Sequence, residues 1–371
     1  MKYLLLLLLL VSSMSHAQRN LIVVTIDGLR WQEVFKGPQQ SILNDKKYVK
    51  NKTRLEKQFL LGSEQDNRKA LMPFFWNTIA TQGTVIGNRE EDSYMSVAND
   101  LYFSYPGYSD LLTGVVNRKI RSNAKINNQE VTFLEWLNNK PIYNANIALF
   151  GGWDVFPYIV NKERSGLYVN AGFEKASGYN LPEHTKWLNQ LQDEVPSPWE
   201  TVRLDAFTYG FAEDYLVQEQ PRVMMIAFGE TDDFAHDGDY QHYITSTHRT
   251  DMFIEKLWNK LQSLPKYRNN TNMLIVTDHG RGSNNDNWQH HASMSSTKGY
   301  MKSLAHFKQG IIGSNHIWMA AIGPDIKQHG SLKTDGELLQ TQVAATALVL
   351  LNEDPNQFNS KAAKPISEIL K

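Results

Sequence analysis

The chain has 371 residues, 41% of them hydrophobic and 21% charged, with a formal net charge of −1. That is globular composition without the basic excess that a nucleic-acid polymer or other polyanion would call for. The absence of cysteine excludes disulfides, thiolate catalysis, cysteine-ligated metal and a cysteine-linked lipid anchor.

The chain opens "MKYLLLLLLLVSSMSHAQ". Lys2, an apolar stretch from Leu4 to Val11 and the small-x-small Ser15-His16-Ala17 read as a secretory leader over 1–17, cut after Ala17. The apolar stretch is short for a membrane span and no second run of spanning length follows, so the mature chain is expected to be exported, periplasmic or secreted, without a membrane anchor. "NLIVVTI" (20–26) is a β-branched strand pattern ending at Asp27-Gly28. Residues 36–70 are polar and read as a surface insertion at a cleft rim. "LYFSYPGYSDLLTG" (101–114) places Ser104 among aromatics ahead of Pro106-Gly107, a turn pattern.

"NANIALFGGWD", "PRVMMIAFGETD", "TNMLIVTDHGRG" and "HIWMAAIGPDI" are further strand patterns. Between them "DMFIEKLWNKLQSL" and "ELLQTQVAATALVLL" have helical character, and residues 283–310 form a second long excursion. Strands alternating with helices predict an α/β fold with a largely parallel central sheet flanked by helices on both faces, in one domain over 18–371 with the two insertions. In such sheets function gathers at the carboxyl ends of strands. Asp27, Asp232 with His236, Asp278-His279 and His316 all lie near predicted strand ends. Three aspartates and three histidines can supply two divalent-metal positions, and zinc accepts both donor types.

With these stretches in hand, the sequence resembles the alkaline phosphatase superfamily, most closely its type I phosphodiesterase/nucleotide pyrophosphatase-like and phosphomutase-like branches. The likeness runs from about Leu21 to Leu351 and rests on "VVTIDGLR", "FSYPGYSDLLTG", "GETDDFAH", "VTDHG" and "NHIWMAAIGPDI". It implies one metal held by Asp27, Asp278, His279 and the nucleophile Ser104, and a second held by Asp232, His236 and His316. Asp232 rather than Asp233 has the family's spacing to His236. Zinc is the expected ion and manganese the rival. The reaction implied is in-line attack by Ser104 on a small-molecule phosphate ester, a phosphoseryl intermediate and hydrolysis. Asn123 is the expected phosphate contact, with Asn127 and Asn128 competing. Lys162 and Arg164 resemble the cationic pair of relatives that favour monoesters.

Phosphomonoester hydrolysis is therefore the first expectation and phosphodiester or nucleotide pyrophosphate hydrolysis the alternative. A sulfatase would need Cys or Ser followed four residues later by Arg, where this chain has Tyr108. A non-catalytic binding protein of the same fold would be marked by lost ligands.

Overall fold

A computed structural model describes residues 18–371; the leader expected over 1–17 lies outside them. Ten strands are present: β1 (Asn20–Ile26), β2 (Thr84–Ile86), β3 (Met95–Ser96), β4 (Ile147–Gly151), β5 (Tyr168–Ala171), β6 (Val223–Phe228), β7 (Thr271–Val276), β8 (Met319–Ile322), β9 (Gly330–Ser331) and β10 (Leu338–Leu339). Eight of them form one sheet in the order β5-β4-β6-β1-β7-β8-β2-β9, while β3 and β10 pair separately. The strands from β5 to β7 are mutually parallel. β8 runs antiparallel to both β7 and β2.

The central strand β1 shows how the sequence makes the layers. Every one of its residues is buried. Ile22, Val24 and Ile26 enter one apolar core, whereas Leu21 and Val23 enter the other. Side chains alternate across a strand, so a continuous apolar run serves two cores at once. Each such side chain contributes about 1.5–3 kcal/mol on burial. The helices Asp205–Gln218 and Tyr240–Ser263 cover the first face. Ser104–Thr113, Phe133–Asn138 and Gln342–Leu350 cover the second.

Residues 36–70, expected as a polar surface insertion, fold into the helices Gln40–Leu43, Lys52–Phe59 and Glu64–Leu71. Their sparse apolar residues Ile42, Leu55, Phe59 and Leu71 all enter the first core. Parallel register brings the ends of β6, β1 and β7 level: Ile26 is opposite Phe228, and Thr25 is opposite Val276. The segments leaving these three neighbours therefore emerge side by side. No helix among the described residues is long and apolar enough to cross a membrane.

Candidate active site

Asp27 follows β1 directly, and Asp278-His279 lie just beyond β7. Asp232 and His236 occupy one face of the helix Glu230–His236 that follows β6, four residues apart. Asp205 holds the entry to that helix, its carboxylate accepting from the Gly229 N–H at 2.8 Å and the Glu230 N–H at 3.2 Å.

Ser104 sits differently from the expected turn. It is the first residue of the helix Ser104–Thr113. Pro106 is tolerated there because first-turn N–H groups have no intrahelical partner. Gly107 has a packing reason as well: a Cβ at that position would lie 2.6 Å from the Asp278 carbonyl oxygen. The helix can approach the end of β7 only with glycine there, and this brings Ser104 Oγ to 3.3 Å from His279 Nε2.

Two groups of donors converge. In the first, Asp27, Asp278 and His279 each offer one ligand atom within 4.8 Å of the others. His279 Nε2 is 3.4 Å from Asp27 Oδ1 and 3.5 Å from Asp278 Oδ2. In the second, Asp232, His236 and His291 converge in the same way. His236 Nε2 is 3.1 Å from Asp232 Oδ2 and 3.0 Å from His291 Nε2. The His279 and His291 rings stack with centroids 3.8 Å apart, placing the two groups side by side.

Both groups fit divalent ions. Asp27 Oδ1 and Asp278 Oδ2 are buried without a hydrogen-bond partner. His279 Nδ1 meets the Gly280 carbonyl at 3.0 Å, and His291 Nδ1 meets that of Tyr102 at 2.8 Å. A carbonyl accepts only, so each Nδ1 carries the proton and each Nε2 presents a lone pair. The His279 lone pair then faces buried carboxylate oxygens, an arrangement that a cation satisfies. The aspartates register the crowding. Burial, then the charges of Asp278 and Asp232, push the Asp27 carboxyl well above its usual range. Burial likewise raises Asp278, against the pull of His279. Burial would raise Asp232 too, but Arg281 and His236 outweigh it and hold this carboxyl well below the ordinary range.

His316, expected to complete the second group, is elsewhere. It precedes β8, whose antiparallel course starts it at the same sheet end as Asp278-His279, but it bridges to Ser96 of β3 and joins neither donor group. Burial, reinforced by Arg89, pushes its imidazole down to about 4. His291, in the 283–310 excursion, is the histidine that converges with Asp232 and His236. The signal in the sequence was the second histidine of "WQHHAS", which no adjoining strand pattern marks.

The cationic pair is also misplaced by the sequence reading. Lys162 Nζ donates to the Val169 carbonyl at 3.1 Å and to Glu174 at 3.0 Å. Arg164 clamps Glu135 at 2.6 and 2.8 Å and gives its remaining donors to the Gln129 and Glu130 carbonyls. Both cations are paired with acids in this structure, Lys162 with Glu174 and Arg164 with Glu135. Replacing either by methionine should leave the ratio of monoester to diester turnover unchanged, which initial rates on an aryl monoester and its bis-aryl diester would check.

Asn123 lies against the first turn of the Ser104–Thr113 helix. Its Oδ1 accepts the Tyr105 N–H at 3.0 Å, which orients the amide beside Ser104. Asn128 is turned to Ser109 and Asn127 to Glu163.

Tyr108 has a role that the sequence did not reveal. Fully buried one turn after Ser104, its phenol donates to Asp27 Oδ2 at 3.0 Å. Donors behind a metal-ligand carboxylate fix its orientation, and losing one typically weakens metal binding by about 10–100-fold. Tyr108→Phe should keep the edge-to-face packing on Phe156, at 4.8 Å between centroids, while lowering zinc affinity by roughly tenfold. Competition with a chromogenic chelator would measure it.

A largely parallel sheet thus carries a serine at a helix N-terminus beside two Asp/His groups. Similar solved structures include the alkaline phosphatase PafA, with TM-score 0.56 and 11% identity over 95% of this chain and 99% of that one. A murine ectonucleotide pyrophosphatase/phosphodiesterase 5, an inactive variant in complex with AMP, gives TM-score 0.51 and 13% identity over 95% and 100%. A putative sulfatase from Bacteroides thetaiotaomicron gives 0.55 and 12% over 94% and 74%. No curated protein matched the sequence. Residues 104–359 match the family described as type I phosphodiesterase / nucleotide pyrophosphatase. The chain belongs to that family, within the alkaline phosphatase superfamily, and is a hydrolase of the phosphoesterase kind.

Proposed function

We propose that the chain is an exported phosphodiesterase that works with two divalent ions and a phosphoseryl intermediate on Ser104. The observation that carries this reading is the meeting of Ser104 Oγ, the His279 Nε2 lone pair and two partnerless buried carboxylate oxygens at the adjacent ends of β1 and β7. Asp27, Asp278 and His279, with Ser104, would hold one ion; Asp232, His236 and His291 would hold the other. Three imidazoles and three carboxylates favour zinc, with manganese second. Bound ions would supply the Lewis acidity that activates the serine hydroxyl and neutralises charge on the phosphoryl and leaving oxygens.

The chain's own residues do the rest. The helix N-terminus presents Ser104 to an anion and favours negative charge there. Ser104 Oγ forms the new bond to phosphorus as the ester oxygen departs on the opposite side. Asn123, its Oδ1 held by the Tyr105 N–H, can direct its amide protons at a non-bridging oxygen. Water then cleaves the phosphoserine and restores the hydroxyl.

The expected preference for monoesters rested on Lys162 and Arg164, whose charges are spent on Glu174 and Glu135. Without them the lower charge of a diester is the better match, in line with the family. A sulfatase is disfavoured by Tyr108 standing where that chemistry requires arginine. The test is a panel of an aryl phosphate monoester, its bis-aryl diester and the aryl sulfate, assayed with zinc or manganese and after chelation. Metal-dependent turnover led by the diester is expected. Dominant monoester turnover would restore the first expectation, and a lack of turnover on all three with full metal loading would favour a binding protein.

A further inference from the structure

We propose that Arg281 makes the two metal positions unequal: the Asp27–Asp278–His279 position holds its ion tightly, and the Asp232–His236–His291 position holds its ion weakly and exchangeably. This rests on the two-metal reading above.

The difference starts from charge. The first position has two carboxylates, and the donors behind them are neutral: the Tyr108 phenol on Asp27 Oδ2 at 3.0 Å and the Gly28 N–H on Asp278 Oδ1 at 3.1 Å. Two carboxylates, with no cation paired to either among the described residues, face an incoming ion. The second position has one carboxylate, and Arg281 Nη2 lies in direct contact with Asp232 Oδ1. The Arg281 side chain is 0% exposed. It is pinned by carbonyls, Nη2 donating to that of Asp232 at 3.0 Å and Nη1 to that of Gln289 at 2.6 Å. Asp232 is its only ion-pair partner among the described residues. One carboxylate and one guanidinium sum to zero, so a divalent ion gains far less Coulomb energy here.

The usual supporting contact behind a metal ligand raises that ligand's basicity, as a carboxylate does behind histidine. A buried cation against the carboxylate does the reverse, drawing electron density away from the oxygen that would bind metal. Solvent access runs the same way. His279 and Asp278 side chains are 0% exposed, whereas that of His236 is 39% exposed, giving the second ion a route out.

The chain makes room for this guanidinium. Gly28 has φ +57°, and a Cβ there would stand 2.5 Å from Asp232 Oδ1 and 2.8 Å from Arg281 Nε. Glycine at that turn thus does two things, giving its N–H to Asp278 and clearing space for the Asp232–Arg281 pair.

The experiment is a titration of the metal-stripped mature chain with zinc alone, followed by calorimetry and native mass spectrometry. Two binding steps are expected, at least about tenfold apart. Arg281→Gln should tighten the weaker step by about tenfold or more without moving the tighter one, while Arg281→Lys, which keeps the charge, should leave it weak. Two equal steps, or a weaker second step in the Gln variant, would overturn the proposal. Should neither Arg281 variant fold, His291→Ala decides: loss of the weaker step supports the assignment, and loss of the tighter step overturns it. A chain that binds no zinc removes the two-metal reading itself, an outcome distinct from two equal steps.

Discussion

Replacing Ser104 by alanine should lower diester hydrolysis by at least about a thousandfold, the scale seen when a covalent nucleophile is deleted. The expectation follows from where the hydroxyl sits. Ser104 is 5% exposed, and its Oγ touches His279 Nε2 across the chain. Alanine has the better helix propensity and removes one atom, so the fold has little to lose. The loss should therefore fall on turnover, not on stability. Circular dichroism and a zinc titration of the variant should match the wild type in fold and in the number of ions bound. Substrate affinity should change little, because the phosphoryl group keeps its other contacts. Retention of more than a tenth of the wild-type rate would remove Ser104 from the role of nucleophile and leave direct attack by water. Trapping of phosphate on Ser104 in acid-quenched wild type, and its absence in the variant, gives a second readout.

The residues that could be read from sequence share one property: each adjoins a strand pattern whose place in the sheet is fixed by its own composition. Asp27 follows β1, Asp278-His279 lie just beyond β7, and Asp232 is in the first turn of the helix after β6. Largely apolar runs of six or seven residues are central parallel strands, and central parallel strands bring their carboxyl ends together. The failures lack that anchor. Lys162 and Arg164 match a local spacing, yet their partners are Glu174 and Glu135, acids 12 and 29 residues away. Which acid captures a cation is decided by tertiary packing, which a local spacing does not carry. Tyr108 and Arg281 acquire their roles in the same way, through Asp27 and Asp232, partners distant in the chain. The helix at Ser104 was hidden by Pro106 and Gly107, turn residues by propensity, which here fit a first turn packed against Asp278.

His291→Ala should abolish the weaker zinc-binding step and cut diester turnover by about a hundredfold or more, the scale of losing a group that stabilises transition-state charge, whereas His316→Ala should leave both near wild type. The two histidines separate by geometry. His291 is 2% exposed; its Nδ1 proton is committed to the Tyr102 carbonyl at 2.8 Å, and its Nε2 lies 3.0 Å from His236 Nε2. Tyr102 has φ +60° and lies two residues before Ser104, so the same strained turn orients both the histidine and the nucleophile. Backbone strain of this kind persists where surrounding contacts enforce it. His316 has no such commitment to the cluster: its environment is Arg89 and Glu337, on the side of β3 and β10. Because β8 runs antiparallel to β7, His316 stands at the same sheet end as Asp278 and His279, with its carbonyl beside Gly280, but it pairs with Ser96 and has Arg89 and Glu337 for neighbours, while the 283–310 excursion brings His291 to Asp232 and His236. Equal losses in the two variants would mean that His316 reaches the second ion in the loaded enzyme. A full-activity His291→Ala protein that still binds two zinc ions would dismantle the second position as drawn here.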